Sequence, residues 1–302
     1  MLTKIKISLA KVLALISPTL NTQVWFHQRF GRFINMRNPQ TLNEKICWLK
    51  LHTYYKNPLV SQCADKYAVR DYIKQQGLGD TLNQLLGVYD KPEDIDFERL
   101  PQKFVLKSNY FYGLYIICTD KNKINRTEVI KQMCKWKHNS DHLIFSEMQY
   151  DKIPRKILCE KYIDTPDGLA PTDYKVYCMN GKAHYVQVCI GRTQTELPKF
   201  YFFDTEGKII RNFTNDGLAL SKNQQVKIPS LELWQQMILY SEKLCMPFPF
   251  VRVDFYIEQD KIIFGELTFT PAAGLNATSG KLPIADEQIG KLIVLPDLQN
   301  QK

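Results

Sequence analysis

The sequence predicts an α+β fold: a helical N-terminal region followed by antiparallel strands. Three observations carry that expectation. Thr41-Leu42-Asn43-Glu44 is a capping-box signature ahead of an apolar helical pattern. Residues 174–179 and 183–189 alternate apolar and polar around Asn180-Gly181, the dipeptide suited to a type I′ hairpin turn. Residues 251–257 and 261–270 alternate in the same way across a short polar turn, so they form a second hairpin, and each carries one acid, Asp254 and Glu266, in an otherwise apolar run.

In chain order, residues 2–16 are apolar with Lys4, Lys6 and Lys11 interspersed, and Leu2, Ile5, Leu9, Leu13 and Ile16 would share one helical face. Lys11 interrupts any signal-peptide core, and the run is too short to span a bilayer. Such a helix either anchors at a membrane interface or packs on its own domain. The helix from Thr41 presents Leu42, Ile46, Leu49 and Leu51, and a second covers 61–76 before Gly77-Leu78-Gly79. Strands over 103–107 and 114–118 flank a short aromatic loop, and a helix follows over 127–137. A strand at 156–163 precedes the Asn180-Gly181 hairpin. Residues 200–203 and 208–210 then flank Asp204-Thr205-Glu206-Gly207, and a helix over 231–245 leads into the final hairpin.

At 302 residues the chain can bury a substantial core in two or three subdomains. Its net charge of +9 favours an anionic partner: a nucleotide, a sugar acid, a nucleic acid or an acidic membrane surface. Eight cysteines without a C-x-x-C pair indicate reduced thiols in a cytoplasmic protein rather than a disulfide frame or a zinc ribbon. His138 and His142 have zinc-compatible spacing, but no third ligand lies nearby, so both are expected on a solvated helix end. Aromatics beside basic residues read as strand packing. Without a recognition motif or a basic stripe, nucleic acid is not an expected partner.

The acids of the last hairpin need a partner. A lone carboxylate in a half-buried strand is neutralised or expelled, whereas a facing pair is stabilised by a hard divalent cation. If Glu258 pairs with Ile262 across a three-residue loop, Asp254 stands opposite Glu266, with Arg252 and Thr268 on the same face. A one-residue slip would send the acids to opposite faces. The other open reading is an exposed hairpin whose polar face meets water.

Asn38-Pro39-Gln40-Thr41-Leu42-Asn43-Glu44-Lys45, Ala64-Asp65-Lys66-Tyr67-Ala68-Val69-Arg70, Phe104-Val105-Leu106-Lys107, Cys159-Glu160-Lys161-Tyr162-Ile163, Asp173-Tyr174-Lys175 and Gly265-Glu266-Leu267-Thr268-Phe269-Thr270-Pro271 occur in an ordered series. From about Arg37 to Thr270 the chain resembles the ATP-grasp superfamily, specifically its TupA-like branch, named for teichuronopeptide biosynthesis. The resemblance implies two α+β subdomains clasping ATP with Mg2+ at the floor of the site. It divides the chain into an N-terminal extension (1–40), a helical region (41–100), a nucleotide-lid subdomain with hinge (101–163) and a C-terminal ATP-grasp subdomain with the metal site (164–302).

By that resemblance Lys66 and Lys107 would contact the nucleotide phosphates, and Glu160, Lys161, Tyr162 and Ile163 would form the hinge that reads adenine. Asp254 and Glu266 would hold Mg2+, with Thr268 where related enzymes often carry an Asn ligand. Arg252 and Lys175 would be the catalytic cations, Arg252 stabilising charge on the transferred phosphoryl. The implied reaction is ATP-dependent carboxylate–amine ligation through an acyl phosphate. It would join an amine or amino acid to an acidic sugar of a surface polysaccharide precursor, in the cytoplasm or at the inner face of the membrane. A nucleotide- or sugar-binding accessory protein and a sugar-modifying transferase or kinase are the alternatives.

Two expectations concern the loop after the strand lysine and the paired acids. The branch usually has a His-Gly-Ser-Gly-like loop after the strand lysine, whereas this chain reads Ser108-Asn109-Tyr110-Phe111-Tyr112-Gly113. As an altered lid, that loop would bury its rings only on closing over ATP, and exchanging Tyr110-Phe111-Tyr112 for Gly-Ser-Gly would leave the fold intact. Asp254→Asn, by relieving repulsion between paired acids, would leave the stability of the metal-free protein equal or raised.

Overall fold

Side-chain caps set the helices at the start of the chain. The computed structural model describes residues 3–165, 170–191, 199–210, 226, 228–276 and 283–297. Ser17 closes α1 (Lys4–Ile16) and caps α2 (Pro18–Phe30), with Pro18 at the first helical position, where its missing N–H costs nothing. The expected capping box opens α3 (Leu42–His52): Thr41 Oγ1 accepts from the Glu44 N–H at 3.2 Å, and Glu44 Oε2 accepts from the Thr41 N–H at 3.1 Å. Of the two placements expected for the apolar face of α1, packing on its own domain is not taken by Ile5, Leu9 and Ile16. Ala10 and Ala14 are buried and Leu13 half-buried, while Ile5, Leu9, Val12 and Ile16 face solvent. Leu2 lies outside the described residues.

The helix expected over 61–76 is two helices, α4 (Pro58–Ala64) and α5 (Val69–Gln75). Asp65 causes the break: its Oδ1 accepts from the backbone N–H of Tyr67 at 2.7 Å and of Ala68 at 3.3 Å, offering the chain an alternative to the helical ladder. Lys66 therefore stands on a turn, free to project away from either helix.

Two antiparallel sheets follow. The smaller, in spatial order β1-β4-β2-β3, comprises β1 (Leu85–Tyr89), β2 (Phe104–Ser108), β3 (Tyr115–Cys118) and β4 (Ile157–Lys161). β1 was not anticipated: it is a short, half-buried edge strand whose register shifts between Leu85 and Gly87, which blurs its alternation. The larger sheet, in order β7-β6-β5-β8-β9, comprises β5 (Asp173–Met179), β6 (Lys182–Ile190), β7 (Lys199–Phe203), β8 (Phe250–Glu258) and β9 (Lys261–Thr268). Asn180 and Gly181 both have positive φ, as the type I′ turn between β5 and β6 requires.

Each sheet has its own core. Phe104, Leu106, Ile157 and Cys159 of the smaller sheet pack with Val129, Met133 and Trp136 of α6 (Arg126–Lys137). Val176, Val186, Val251, Val253 and Phe255 of the larger sheet pack with Trp234, Met237 and Leu244 of α7 (Leu231–Cys245) and with α3 to α5. The last described helix is α8 (Pro283–Lys291). All eight cysteines are free thiols, seven of them buried, as their scattered spacing implies.

The last hairpin reaches the expected pairing by another route. Its turn has two residues, Gln259 and Asp260, both at positive φ, so Glu258 pairs with Lys261 rather than Ile262. That would misalign the acids by one residue. A bulge at Gly265 restores them: Phe255 faces Phe264, but Asp254 faces Glu266 and Arg252 faces Thr268. Glycine is needed here, because a Cβ at position 265 would lie 2.9 Å from the Asp254 carbonyl oxygen.

Candidate functional site

The open face of the larger sheet gathers charge in a small volume. Arg252 forks onto Asp254, with Nε to Oδ1 at 2.6 Å and Nη2 to Oδ2 at 2.7 Å. Lys175, opposite Asp254 on β5, donates to Oδ2 at 2.6 Å and lies 3.5 Å from Asp173. Arg252 Nη2 also reaches Thr268 Oγ1 at 3.0 Å and Glu266 Oε1 at 3.4 Å, and the Thr268 hydroxyl donates to Glu266 Oε1 at 2.9 Å. Burial alone would push Glu266 up, but Lys66, Arg252 and Lys175 outweigh it and bring the carboxyl down to about 2. Burial likewise pulls Lys175 down, and the Asp254, Asp173 and Glu266 carboxylates together more than reverse that. The exposed-hairpin reading is therefore set aside, since Asp254 is 2% exposed and its charge is met by protein cations.

Lys66 faces this cluster from the turn between α4 and α5. Its ammonium is 4.0 Å from Glu266 Oε2 and donates to the Phe111 carbonyl. Burial lowers its proton affinity and Glu266 only partly offsets this, leaving a cation short of negative partners. Lys107 lies on the smaller sheet, paired at 2.7 Å with Glu160 on neighbouring β4. Arg70 and Asn83, which sequence reasoning did not single out, complete the surroundings of Glu160 at 3.9 and 3.4 Å. Beyond Glu160, Lys161 pairs with Glu258 at 2.7 Å, and the Asp164 N–H donates to Glu258 at 3.1 Å. Lys161 and Asp164 thus tie the end of β4 to the end of β8.

The aromatic loop is part of the core. Tyr110 is fully buried and Phe111 is 4% exposed; both pack against Tyr150 in the larger core although they leave a strand of the smaller sheet. The Tyr110 hydroxyl hydrogen-bonds to His142 Nδ1 at 2.5 Å, and the Arg155 guanidinium sits 3.3 Å above its ring. Asn109 pins the loop base, donating to Asp65 at 2.9 Å and to the Pro154 carbonyl at 2.8 Å. The expectation that these rings bury only on nucleotide closure is corrected for Tyr110 and Phe111; Tyr112 remains exposed. His142 is corrected too: it is buried between Tyr110 and Asp151, while His138 is exposed as expected.

A cavity of about 320 Å³ opens beside the charged cluster. Lys66, Arg252, Glu266 and Thr268 of that cluster line it, together with Tyr112, Tyr150, Glu147 and the segment from Thr270 to Ala273. Ala272 and Ala273 both have left-handed φ, a conformation costly for residues with a Cβ. Glu147 escaped sequence reasoning because it is a single acid in an irregular stretch. Burial pushes its carboxyl up to about 7, against the opposing Thr270 hydrogen bond and the nearby Lys50 ammonium. Because its folded value exceeds the ordinary one near 4.5, the native state holds more protons than the unfolded chain between those pH values. Stability contributed by the neutral form is lost as pH rises through that window. Glu147→Gln is therefore expected to match the parent in thermal midpoint at pH 5 and exceed it at pH 8. A pH-independent difference would overturn the assignment.

The donor chemistry fits a hard cation. Glu266 and Thr268 present oxygen to the cavity, and Mg2+ commonly takes one or two protein carboxylates and completes its shell with phosphate and water oxygens, whereas both oxygens of Asp254 already accept from Arg252 and Lys175. Among the described residues no group of three or more His, Cys, Asp and Glu converges in a way that could hold a metal ion.

A family model described as TupA-like ATPgrasp matches residues 44–294. A comparison with curated proteins found no match. Among solved structures, D-alanine–D-alanine ligase from Bacillus anthracis complexed with ATP is 14% identical with a TM-score of 0.48, over 78% of this chain and 66% of that one. L-amino acid ligase from Bacillus licheniformis is 12% identical with a TM-score of 0.44, over 72% of this chain and 45% of that one. D-alanine–D-alanine ligase from Helicobacter pylori is 15% identical with a TM-score of 0.41, over 78% and 61%. The chain spans between 45% and 66% of the length of these proteins.

Proposed function

The chain belongs to the TupA-like ATP-grasp family, and on that premise we propose that it is an ATP-dependent carboxylate–amine ligase. In this reading it joins an amine or amino acid to an acidic sugar of a surface polysaccharide precursor. The observation that carries the proposal is the register that sets Asp254 opposite Glu266, with Arg252, Lys175 and Lys66 around them beside a cavity. Asp254 and Glu266, with Thr268, would hold magnesium, which when bound neutralises phosphate charge. Lys66 and Lys107 bind the phosphates, and the hinge from Glu160 to Ile163 takes the adenine. Arg252 and Lys175 orient the acid substrate and offset negative charge on the transferred phosphoryl, work that needs positioned cations more than covalent chemistry. The test is ADP release by the purified protein given ATP, magnesium, candidate uronic acids and amino acids. Release that depends on both acid and amine supports the ligase; none with any pair removes it.

The accessory-protein reading is favoured by one observation: the loop after β2 is packed into the core and its Phe111 carbonyl already holds Lys66. The two readings divide on a binding experiment. In a working enzyme Lys66→Met is expected to weaken ATP by roughly ten- to a hundredfold, the loss of one charge-assisted contact, and to leave adenosine unchanged. Equal loss of both ligands would assign Lys66 to the fold instead. Lys107→Met is the less selective variant, because it also strips Glu160 of its 2.7 Å partner.

For localisation we propose the cytoplasm, with peripheral contact at an anionic membrane. No helix among the described residues is long and apolar enough to cross a membrane. α1, however, turns Ile5, Leu9, Val12 and Ile16 to solvent, with Lys4 and Lys6 exposed beside them, the amphipathic pattern of a helix that lies in an anionic lipid interface. Co-sedimentation with phosphatidylglycerol-containing vesicles is expected for the parent and lost for Leu9→Glu/Ile16→Glu. Equal sedimentation of both would remove the contact.

A further inference from the structure

The proposed mechanism gives no part to Glu147, a buried acid at the cavity. Glu147 is 3% exposed and lines the same cavity as Lys66 and Arg252. Its Oε1 accepts from the Thr270 hydroxyl at 2.5 Å, and Thr270 Oγ1 in turn accepts from Gln149 Nε2 at 2.9 Å. Its Oε2 has no hydrogen-bond partner among the described residues. A buried carboxylate oxygen without a donor is costly, and a site that keeps one is built for a ligand that brings the donor.

The surroundings hold Glu147 in place. Ser146 before it is buried and has a left-handed φ of 56°, a strained geometry for a serine. Asn21 of α2 fixes that turn, its Nδ2 reaching the Ile144 carbonyl at 3.0 Å and Ser146 Oγ at 2.9 Å. The nearest fixed cation, Lys50, spends its ammonium on the carbonyls of Phe145 and Ala273 at 2.7 and 3.1 Å. Phe111, Tyr112 and Tyr150 supply an aromatic lining. The cavity is therefore lined by two cations, Lys66 and Arg252, that are paired with Glu266, and by a further acid, Glu147, that is not.

We propose that Glu147 binds the ammonium group of the acceptor, a primary amine such as an amino acid or amino sugar, and so forms the nucleophile subsite. This rests on the ligase reading, in which an amine must meet an acyl phosphate formed beside Arg252. Before attack, one ammonium proton passes to the Glu147 carboxylate. The freed nitrogen lone pair then forms the C–N bond as the bond from the acyl carbon to the phosphate oxygen breaks. The phosphate departs with that electron pair and takes up the second nitrogen proton.

The test uses two small probes of similar shape, glycinamide, which carries an ammonium, and acetamide, which does not. They are titrated into the full chain at pH 8, with and without magnesium and a non-hydrolysable ATP analogue. The parent is expected to bind glycinamide at least tenfold more tightly than acetamide, and Glu147→Gln to abolish that preference while binding the nucleotide analogue like the parent. Glu147→Asp, which keeps the charge but shortens the side chain, is expected to retain a weakened preference, and it serves if the glutamine variant does not fold. No preference in the parent, or an undiminished one in Glu147→Gln, would overturn the proposal. Failure of the ligase reading would show separately, as absent nucleotide binding or absent ADP release, with the amine preference still measurable without nucleotide.

Discussion

Asp254→Asn is expected to lower stability by about 3 kcal/mol, the lower end of the range for removing one partner of a buried ion pair. Asp254 is 2% exposed and accepts from Arg252 twice and from Lys175 once. The amide keeps the shape but leaves two buried cations facing a neutral group. This reverses the expectation drawn from paired acids alone, in which removing a charge relieves repulsion. In the folded protein the repulsion is already neutralised, so the charge is needed with or without magnesium. Urea denaturation reads the effect as a lower midpoint at unchanged slope. Asp254→Asn/Lys175→Met removes one surplus cation and is expected to recover part of the loss. An Asp254→Asn midpoint equal to the parent's would show that the cluster does not hold its ion pairs in solution. Acid- and amine-dependent ADP release is expected to vanish in the single variant.

Tyr110→Ala is expected to cost about 3 to 5 kcal/mol, as for other large aromatics truncated in a core. The ring is fully buried, the hydroxyl holds His142, and Arg155 lies over the ring face. Tyr112→Ala, on an exposed neighbour, is the control and is expected to shift stability by less than about 0.5 kcal/mol. Replacing Tyr110-Phe111-Tyr112 by Gly-Ser-Gly removes two buried rings and adds backbone freedom to the unfolded chain, so loss of cooperative unfolding is expected instead of an intact fold. A Gly-Ser-Gly variant as stable as the parent would restore the lid expectation. Hydrogen exchange gives an independent check: Asn109 to Phe111 should be protected without nucleotide.

Local chemistry was legible in the sequence wherever a short segment determines its own conformation. The capping box at Thr41 and Glu44, the turn at Asn180-Gly181 and the bounds of α6 and α7 depend on neighbours within a few residues, and each stands where the pattern placed it to within a residue or so. The α4–α5 break did not, because Asp65 competes with the helix through a side-chain bond that apolar periodicity does not register. β1 did not either, because an edge strand with a bulge loses its alternation.

The facing of Asp254 and Glu266 was reached from period-two alternation alone, yet by cancelling differences. A two-residue turn replaces the assumed three, and the Gly265 bulge returns the missing residue. What the sequence by itself determined about this protein is therefore its element types, its paired acids and its family motifs, since these depend on residue order and local geometry. The tertiary structure alone decided what meets those residues. It placed Arg252 and Lys175 on Asp254, folded the aromatic loop into the core against Tyr150, and brought Glu147 from beyond α6 to the cavity shared with Lys66 and Glu266. Apart from Arg252 and Asp254, which are neighbours on one strand, those contacts join segments tens to more than a hundred residues apart, and their energies come from burial and charge pairing that exist only once the sheets have packed.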